Sequence, residues 1–160
     1  MQNLPPSRLT ERMKETVAYS IEHVDKGGIP FTAFVLDRHG TVLGRGVNRV
    51  RLHCDPTAHA EVEAIRDACR THGIQCTSGA TLLASGEPCA MCYMSSLFSG
   101  ISKVYFAASR DEAASYGFDY RSSYDLYAAD PTTWGNLRPE ALRVDDGLVP
   151  FQKFAQRSVR

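Results

Sequence analysis

The run Thr81-Leu82-Leu83-Ala84-Ser85-Gly86-Glu87-Pro88-Cys89-Ala90-Met91-Cys92 decides how this chain folds. Thr81 to Ala84 reads as a short buried strand. Pro88 suits the first turn of a helix, where its missing N–H costs nothing. That helix is expected to run to about Ser99, and Lys103-Val104-Tyr105-Phe106-Ala107-Ala108 to follow as another strand. Upstream, Ala58 to Thr71 is expected to be helical, with Val62, Ile65 and Cys69 on one face. Helices alternating with strands from residue 58 to 108 imply βαβ-type crossovers, and therefore a sheet covered by helices.

Farther out, Leu9 to Lys26 reads as an amphipathic helix with Met13, Val17, Ile21 and Val24 at helical spacing, ended by Gly27-Gly28. Pro30 to Leu36 and Thr41 to Val47 form the two arms of a hairpin turned at Asp37-Arg38-His39-Gly40. Arg49 to Asp55 is polar and loop-like, and Arg110 to Tyr116 reads as a short helix. Ser122 to Ala129 is expected to be helical, Pro131 to Pro139 a loop, and Pro150 to Arg160 a terminal helix. No repeat or domain boundary is visible, so residues 1–160 are expected to form a single domain.

Lys plus Arg total 18 and Asp plus Glu total 18, so the net charge is zero. The first 26 residues hold four basic and four acidic side chains, and neither end is a polycation. That balance weighs against a nucleic-acid binder. With 43% hydrophobic and 22% charged residues the composition is globular, not disordered. No apolar run approaches the ~20 residues of a membrane helix, and the opening MQNLPPSRLT lacks the apolar centre of a secretory signal. A cytoplasmic protein with no membrane partner is the expectation. The five cysteines fit it, because an odd number without an export signal does not suggest a disulfide framework.

Two elements carry the chemistry. The first is Asp55-Pro56-Thr57-Ala58-His59-Ala60-Glu61, and the second, with Cys89 thirty residues after His59, is Glu87-Pro88-Cys89-Ala90-Met91-Cys92. One imidazole and two thiolates are three zinc ligands of the usual kinds, leaving a fourth tetrahedral position open as in a catalytic site. Cys89 and Cys92 lie three apart on one helix face near its N-terminus, where the dipole favours thiolate. Asp55-Pro56-Thr57 places His59 near a helix start as well. On a regular helix His59 and Glu61 would face roughly 200° apart, so they converge only on a metal lying off the helix end. Glu63, at i+4, is the better partner for a metal beside the helix. Spacing alone leaves both open.

His59-Ala60-Glu61 followed by Pro88-Cys89-Ala90-Met91-Cys92 resembles the signature of the zinc-dependent cytidine-deaminase superfamily. Within it, the string Asp55 to Val62, the Gly28–Phe31 region, Asn48, Glu87 to Cys92 and Gly117-Phe118-Asp119 look most like the bacterial guanine deaminases. The resemblance runs from about residue 10 to 120 and thins afterwards. It implies an α/β fold, a three-layer α/β/α cytidine-deaminase-like sandwich around a mixed five-stranded sheet. It also implies a homodimer, with the C-terminal tail (about 121–160) exchanged between subunits. The implied cofactor is Zn2+, held by His59, Cys89 and Cys92, with Glu61 as proton carrier. The implied reaction is hydrolytic deamination of a free nucleobase or related amino-heterocycle, releasing ammonia by attack of a zinc-bound hydroxide.

The same resemblance implies contacts to the base from Asn48 and the Ala60 N–H, with Phe31 and Phe98 packed on the ring. Phe31, in an apolar strand, would otherwise be core. Guanine deaminases carry Gly-Phe-Asp-Asp, whereas this chain has Gly117-Phe118-Asp119-Tyr120. A phenol with a reference pKa of ~10 does not replace a carboxylate near pH 7. Either Asp119 turns inward or the substrate does not need that carboxylate. The terminal Gln156-Arg157-Ser158-Val159-Arg160 also lacks the aromatic that caps the partner's site in guanine deaminases. The base is therefore open between guanine and isoguanine, 8-oxoguanine, isocytosine or an aminotriazine.

Three other readings compete. A tRNA adenosine deaminase shares the motifs but needs a basic RNA surface that the charge does not offer. A structural zinc closed by Cys54 would leave Glu61 and Pro88 without a purpose, and a redox Cys-x-x-Cys would leave His59 unexplained. Cys69 is expected in the core and Cys76 in a loop. His23, His39, His53 and His72 are expected at the surface. Tyr116, Tyr120, Tyr124 and Tyr127 are expected to pack rather than to stack on a base.

Overall fold

A computed structural model describes residues 4–130 together with Val149 and Pro150. The chain divides into two compact units, Met1–Tyr127 and Ala128–Arg160, and the first contains the sheet. The expected loop at 131–139, the helix from 151 onward and most of the tail proposed for exchange lie outside the described residues.

Helix α1 (Pro6–Asp25) leads into β1 (Thr32–Leu36), β2 (Val42–Val47), α2 (Val50–His53) and α3 (Ala60–His72). Then come β3 (Thr81–Gly86), α4 (Ala90–Phe98), β4 (Lys103–Ala108), α5 (Arg110–Ser115) and a 3-10 helix over Arg121–Leu126. The sheet order is β2-β1-β3-β4. β1 is antiparallel to both neighbours, and β3 runs parallel to β4 across the α4 crossover. The sheet is thus mixed, as expected, with four strands rather than five among the described residues.

β1 is buried throughout because it is central and covered on both faces. Ala33 and Val35 turn to one side, against Ala60, Ala64, Ile65 and Ala68 of α3. Phe34 and Leu36 turn to the other, with Leu83, against Leu9, Met13 and Tyr19 of α1. Successive strand residues point to opposite faces, so one apolar run serves both layers. Helices flank the sheet on each side, which is the layered α/β arrangement expected.

Two helix faces differ from the sequence reading. Ile21 and Val24 are exposed, and α1 buries Thr16 and Ser20 instead. The Thr16 carbonyl accepts the Thr32 hydroxyl at 2.9 Å, so small polar residues bring this helix close to the sheet. On α3 the buried stripe is Ala60, Ala64, Ile65 and Ala68, not Val62. Its counterpart is Gly44 and Gly46 on β2: a Cβ on Gly46 would overlap the Ala60 carbonyl, and one on Gly44 the Ala64 carbonyl. Alanine facing glycine lets the two backbones touch, and the Asp67 carboxylate adds a bond from the Arg45 N–H at 2.8 Å.

Other positions were also displaced. Val50–His53 is a short helix where a loop was expected. His23 is not a surface group at its tip, because its Nε2 is buried without a hydrogen-bond partner among the described residues and its ring occupies the space a Cβ on Gly28 would need.

Candidate active site

The site forms where two helices begin. His59 is the N-cap of α3, with extended backbone at φ −71° and ψ 154°, and Cys89 is the N-cap of α4, at φ −69° and ψ 173°. Neither side chain belongs to its helix proper, so both project off the helix end. Cys92 follows one turn into α4 and is fully buried. Pro88 therefore precedes the cap rather than opening the helix as expected.

The His59 Nδ1 lies 3.6 Å from the Cys89 Sγ and 3.5 Å from the Cys92 Sγ, and the two sulfurs are 3.6 Å apart. A tetrahedral ion with Zn–S of ~2.3 Å and Zn–N of ~2.05 Å requires donor separations of about 3.6 Å for N to S and about 3.8 Å for S to S. The donor triangle fits. These three are the group that could hold a metal ion among the described residues, and Cys54 is outside it. Cys54 is exposed, in left-handed backbone at φ 50°, with its sulfur toward the Arg51 carbonyl. Among the described residues no fourth ligand joins the group to close a structural site.

Glu61 sits in the first turn of α3, 4% exposed, and its Oε2 is 3.3 Å from the Cys92 Sγ. The off-axis position of His59 is what lets Glu61 reach the same place. Glu63 does not: its carboxylate pairs with Arg66 at 2.7 Å. Burial raises the pKa of Glu61, offset only in part by its own N–H and the Cys92 thiol. Cys89 is held down to about 4, chiefly by the Cys92 thiol, with His59 and the Cys92 N–H adding to it against burial. Cys92 is driven up by its bond to Cys89, by burial and by the Glu61 carboxylate. Two sulfurs and a carboxylate in one buried cluster repel as anions, so this donor set suits a divalent cation.

A cavity of about 300 Å³ opens onto the cluster, at the lower end of the ~300–1,000 Å³ usual for small-molecule sites. Its walls include Phe31, Asn48, Ala60, Glu61, Asp119 and Tyr120 from the expected set, and Ile29, Glu87, Gly117 and Phe118 in addition. Phe31 stands edge-on to Phe118 at 5.2 Å and to Tyr120 at 6.2 Å. The Asn48 side chain accepts the Val50 N–H at 3.3 Å, leaving its amide N–H groups as donors. Asp119 is at the rim, where Arg121 grips both its oxygens at 2.9 and 2.7 Å and holds its pKa near about 2. Tyr120 donates its hydroxyl to the Glu87 carbonyl at 2.6 Å.

The structure does not bring Phe98 to this cavity. It ends α4, is 82% exposed and is not among the cavity walls. Six residues past Cys92 amount to roughly 600° of helix, or about 240° away from the sulfur's direction. The aromatic wall residue that sequence reasoning missed is Phe118, and its signal was the Gly117-Phe118-Asp119 string itself. A larger depression of about 890 Å³, with Arg38, Cys76 and Lys103 in its walls, shares no residue with the site.

A His and a Cys-x-x-Cys pair gathered where two helices begin, around a buried glutamate, is the arrangement expected of the zinc deaminases. Residues 6–108 match the family described as the cytidine and deoxycytidylate deaminase zinc-binding region, and the chain belongs to it. Within that family, guanine deaminase of Bacillus subtilis (strain 168) is 39% identical over 108 residues, 67% of this chain and 69% of that protein. Its X-ray structure superposes with a TM-score of 0.79 at 32% identity, covering 90% of this chain and 91% of that one. A tRNA-specific adenosine deaminase from Aquifex aeolicus is 38% identical over 84 residues, 52% of this chain and 55% of that protein. NE0047, solved with 2,6-diaminopurine, matches at a TM-score of 0.65 and 30% identity, over 68% of this chain and 61% of that one.

Proposed function

We propose that this chain is a zinc hydrolase that deaminates a free nucleobase or related amino-heterocycle in the cytoplasm. His59, Cys89 and Cys92 would hold the metal, and the observation that carries the reading is the contact of buried Glu61 with that donor triangle. Zinc, when bound, supplies the Lewis acidity that brings the ionisation of water toward neutral pH.

The residues of the chain do the rest. Glu61 Oε2 takes a proton from the attacking water and returns protons to the ring nitrogen and to the departing amine, and its raised pKa suits it to hold a proton between the two transfers. The Ala60 N–H, at the start of α3, and the Asn48 amide donate to acceptors on the ring edge. Phe31, Phe118 and Tyr120 enclose the flat faces and exclude water. With a phenol at Tyr120, Asp119 engaged by Arg121 and Glu87 by the Arg110 N–H, the described residues leave no free carboxylate at the rim. That supports a base which needs no second proton carrier.

The coverage of the Bacillus subtilis fold supports a free base over tRNA, as does the zero net charge. The test is ammonia release from guanine, isoguanine, 8-oxoguanine, cytosine, isocytosine and aminotriazines, with a tRNA anticodon arm assayed in parallel at low salt. Turnover of a non-guanine base is expected. Guanine as the sole substrate removes the weight placed on Tyr120, and editing of the tRNA arm in place of any free base overturns the reading. The proposal includes a homodimer exchanging the tail. Residues 121–127 pack on their own chain's 87–90 segment, so the exchange is proposed for the residues beyond them, with light scattering as its check.

A further inference from the structure

The segment that carries Cys89 is held from outside by tyrosines. Tyr120 donates its hydroxyl to the Glu87 carbonyl at 2.6 Å, Tyr124 to the Pro88 carbonyl at 2.5 Å, and Tyr127 to the Ala90 carbonyl at 3.1 Å. Between them, the Ser123 hydroxyl accepts the Ala90 N–H at 3.2 Å. Tyr124 lies in the 3-10 helix, and Tyr120 and Tyr127 flank it as its N-cap and C-cap, so a single element reaches successive groups of the loop.

The loop needs such support. Pro88 has no N–H, and Cys89, as an N-cap, joins the helix only through its carbonyl, which accepts the Tyr93 N–H at 3.0 Å. On its N-terminal side it has no such bond to Pro88, and the hydroxyls of Tyr124 and Tyr127 secure the carbonyls immediately before and after it. The clamp is itself rigid. The Tyr124 ring lies 6.3 Å from Tyr93 and 5.9 Å from Tyr127, under the Arg110 guanidinium at 4.6 Å. The main-chain N–H of Arg110 is in turn bonded to the Glu87 carboxylate at 2.8 Å.

We propose that Ser123, Tyr124 and Tyr127, with Tyr120, are positioning residues for the metal, fixing where the Cys89 sulfur stands relative to His59 and Cys92. The proposal rests on the zinc reading above. Metal sites tolerate displacements of only about 0.5 Å in their donors, and groups that orient ligands at second hand typically change metal affinity or activity by about 10–100-fold. Tyr124 and Tyr127 are not cavity walls. Their influence on chemistry must therefore pass through the loop rather than through contact with a base.

The test compares Tyr124→Phe, Tyr127→Phe and the double variant with Tyr93→Phe. The last removes a hydroxyl from the same aromatic cluster but none that bonds the loop. Each full-length protein is loaded with cobalt(II) for its ligand-field and thiolate charge-transfer bands, and with zinc for release to a chromophoric chelator. Thermal unfolding is followed alongside. Cobalt bands in the wild type establish the metal site itself, and their absence there overturns the zinc reading and this proposal with it. Given those bands, the double variant is expected to shift them and to release zinc about 10–100-fold more readily. It is also expected to lower kcat with KM unchanged, while Tyr93→Phe matches the wild type. Unchanged bands and zinc release, with only a lower Tm, overturn the positioning role. The single variants give the same readouts in smaller measure should the double variant not fold.

Discussion

The Cys92 Sγ and the Glu61 Oε2 stand 3.3 Å apart in a fully buried contact, so a metal-site sulfur and the proposed proton carrier share one small volume. Glu61→Gln keeps the shape and the contact while removing the exchangeable proton. Ammonia release is expected to fall by about 10²–10⁴-fold, the range of general acid–base contributions, with zinc content unchanged by metal analysis. A variant that keeps full activity and full zinc sinks the assigned mechanism.

Removing the metal tests the donor triangle. Dialysis against a chelator is expected to abolish turnover, and stoichiometric zinc to restore it. Because zinc binds only the folded arrangement, saturation at about 100 times Kd is expected to add about 2.7 kcal/mol of stability, read as a higher Tm in the loaded protein. Cys89→Ser is expected to lose both effects.

Tyr120 offers a pH prediction. Burial, then the carboxylates of Glu61 and Glu87, raises its pKa. A raised phenol pKa means that the proton stays on longer as pH rises, so Tyr120 carries no charge through the assay range. Tyr120→Phe is expected to leave the shape of the kcat–pH profile unchanged between about pH 6 and 9, well below the ~10 of a free phenol. Tyr120→Asp introduces a carboxylate that does ionise there. It is expected to raise kcat/KM for guanine relative to other bases by about tenfold or more, the worth of a hydrogen bond to a charged group. Competition assays of paired bases measure the ratio.

Gly46→Ala tests the platform under the site. The added methyl has the Ala60 carbonyl and the Ala64 N–H in its way, and Ala60 adjoins both His59 and Glu61. Overpacking of this kind costs about 1–3 kcal/mol, expected as a lower urea midpoint with loss of zinc affinity. A variant as stable as the wild type contradicts the close approach.

Much of this was legible in the residues. β4 is where the sequence puts it, Lys103–Ala108, because its apolar run is short and ends at a serine cap. The donors His59, Cys89 and Cys92 were legible from residue type and spacing. The competition between Glu61 and Glu63 was not, since it turned on whether His59 lies on the helix or caps it, a matter of two backbone angles. The packing face of α3 was legible only in Ile65 and Cys69, because alanine is a weak signal alone, and only the glycines of β2, 14 to 24 residues away in sequence, make it a contact face. The start of α4 was placed too early at Pro88, whose φ suits a helix but whose carbonyl is taken by Tyr124. That partner lies 36 residues ahead and leaves no local mark.

The separation of the donors has a consequence for biosynthesis. Cys89 is 30 residues beyond His59, and Tyr127 a further 37 beyond Ala90. A chain still on the ribosome with Cys89 unmade holds one of the site's three donors, and a single imidazole has little hold on an ion. On the proposed roles, the donor set is complete only once the segment of α4 is made, and the loop that holds Cys89 is secured only when Tyr124 and Tyr127 follow.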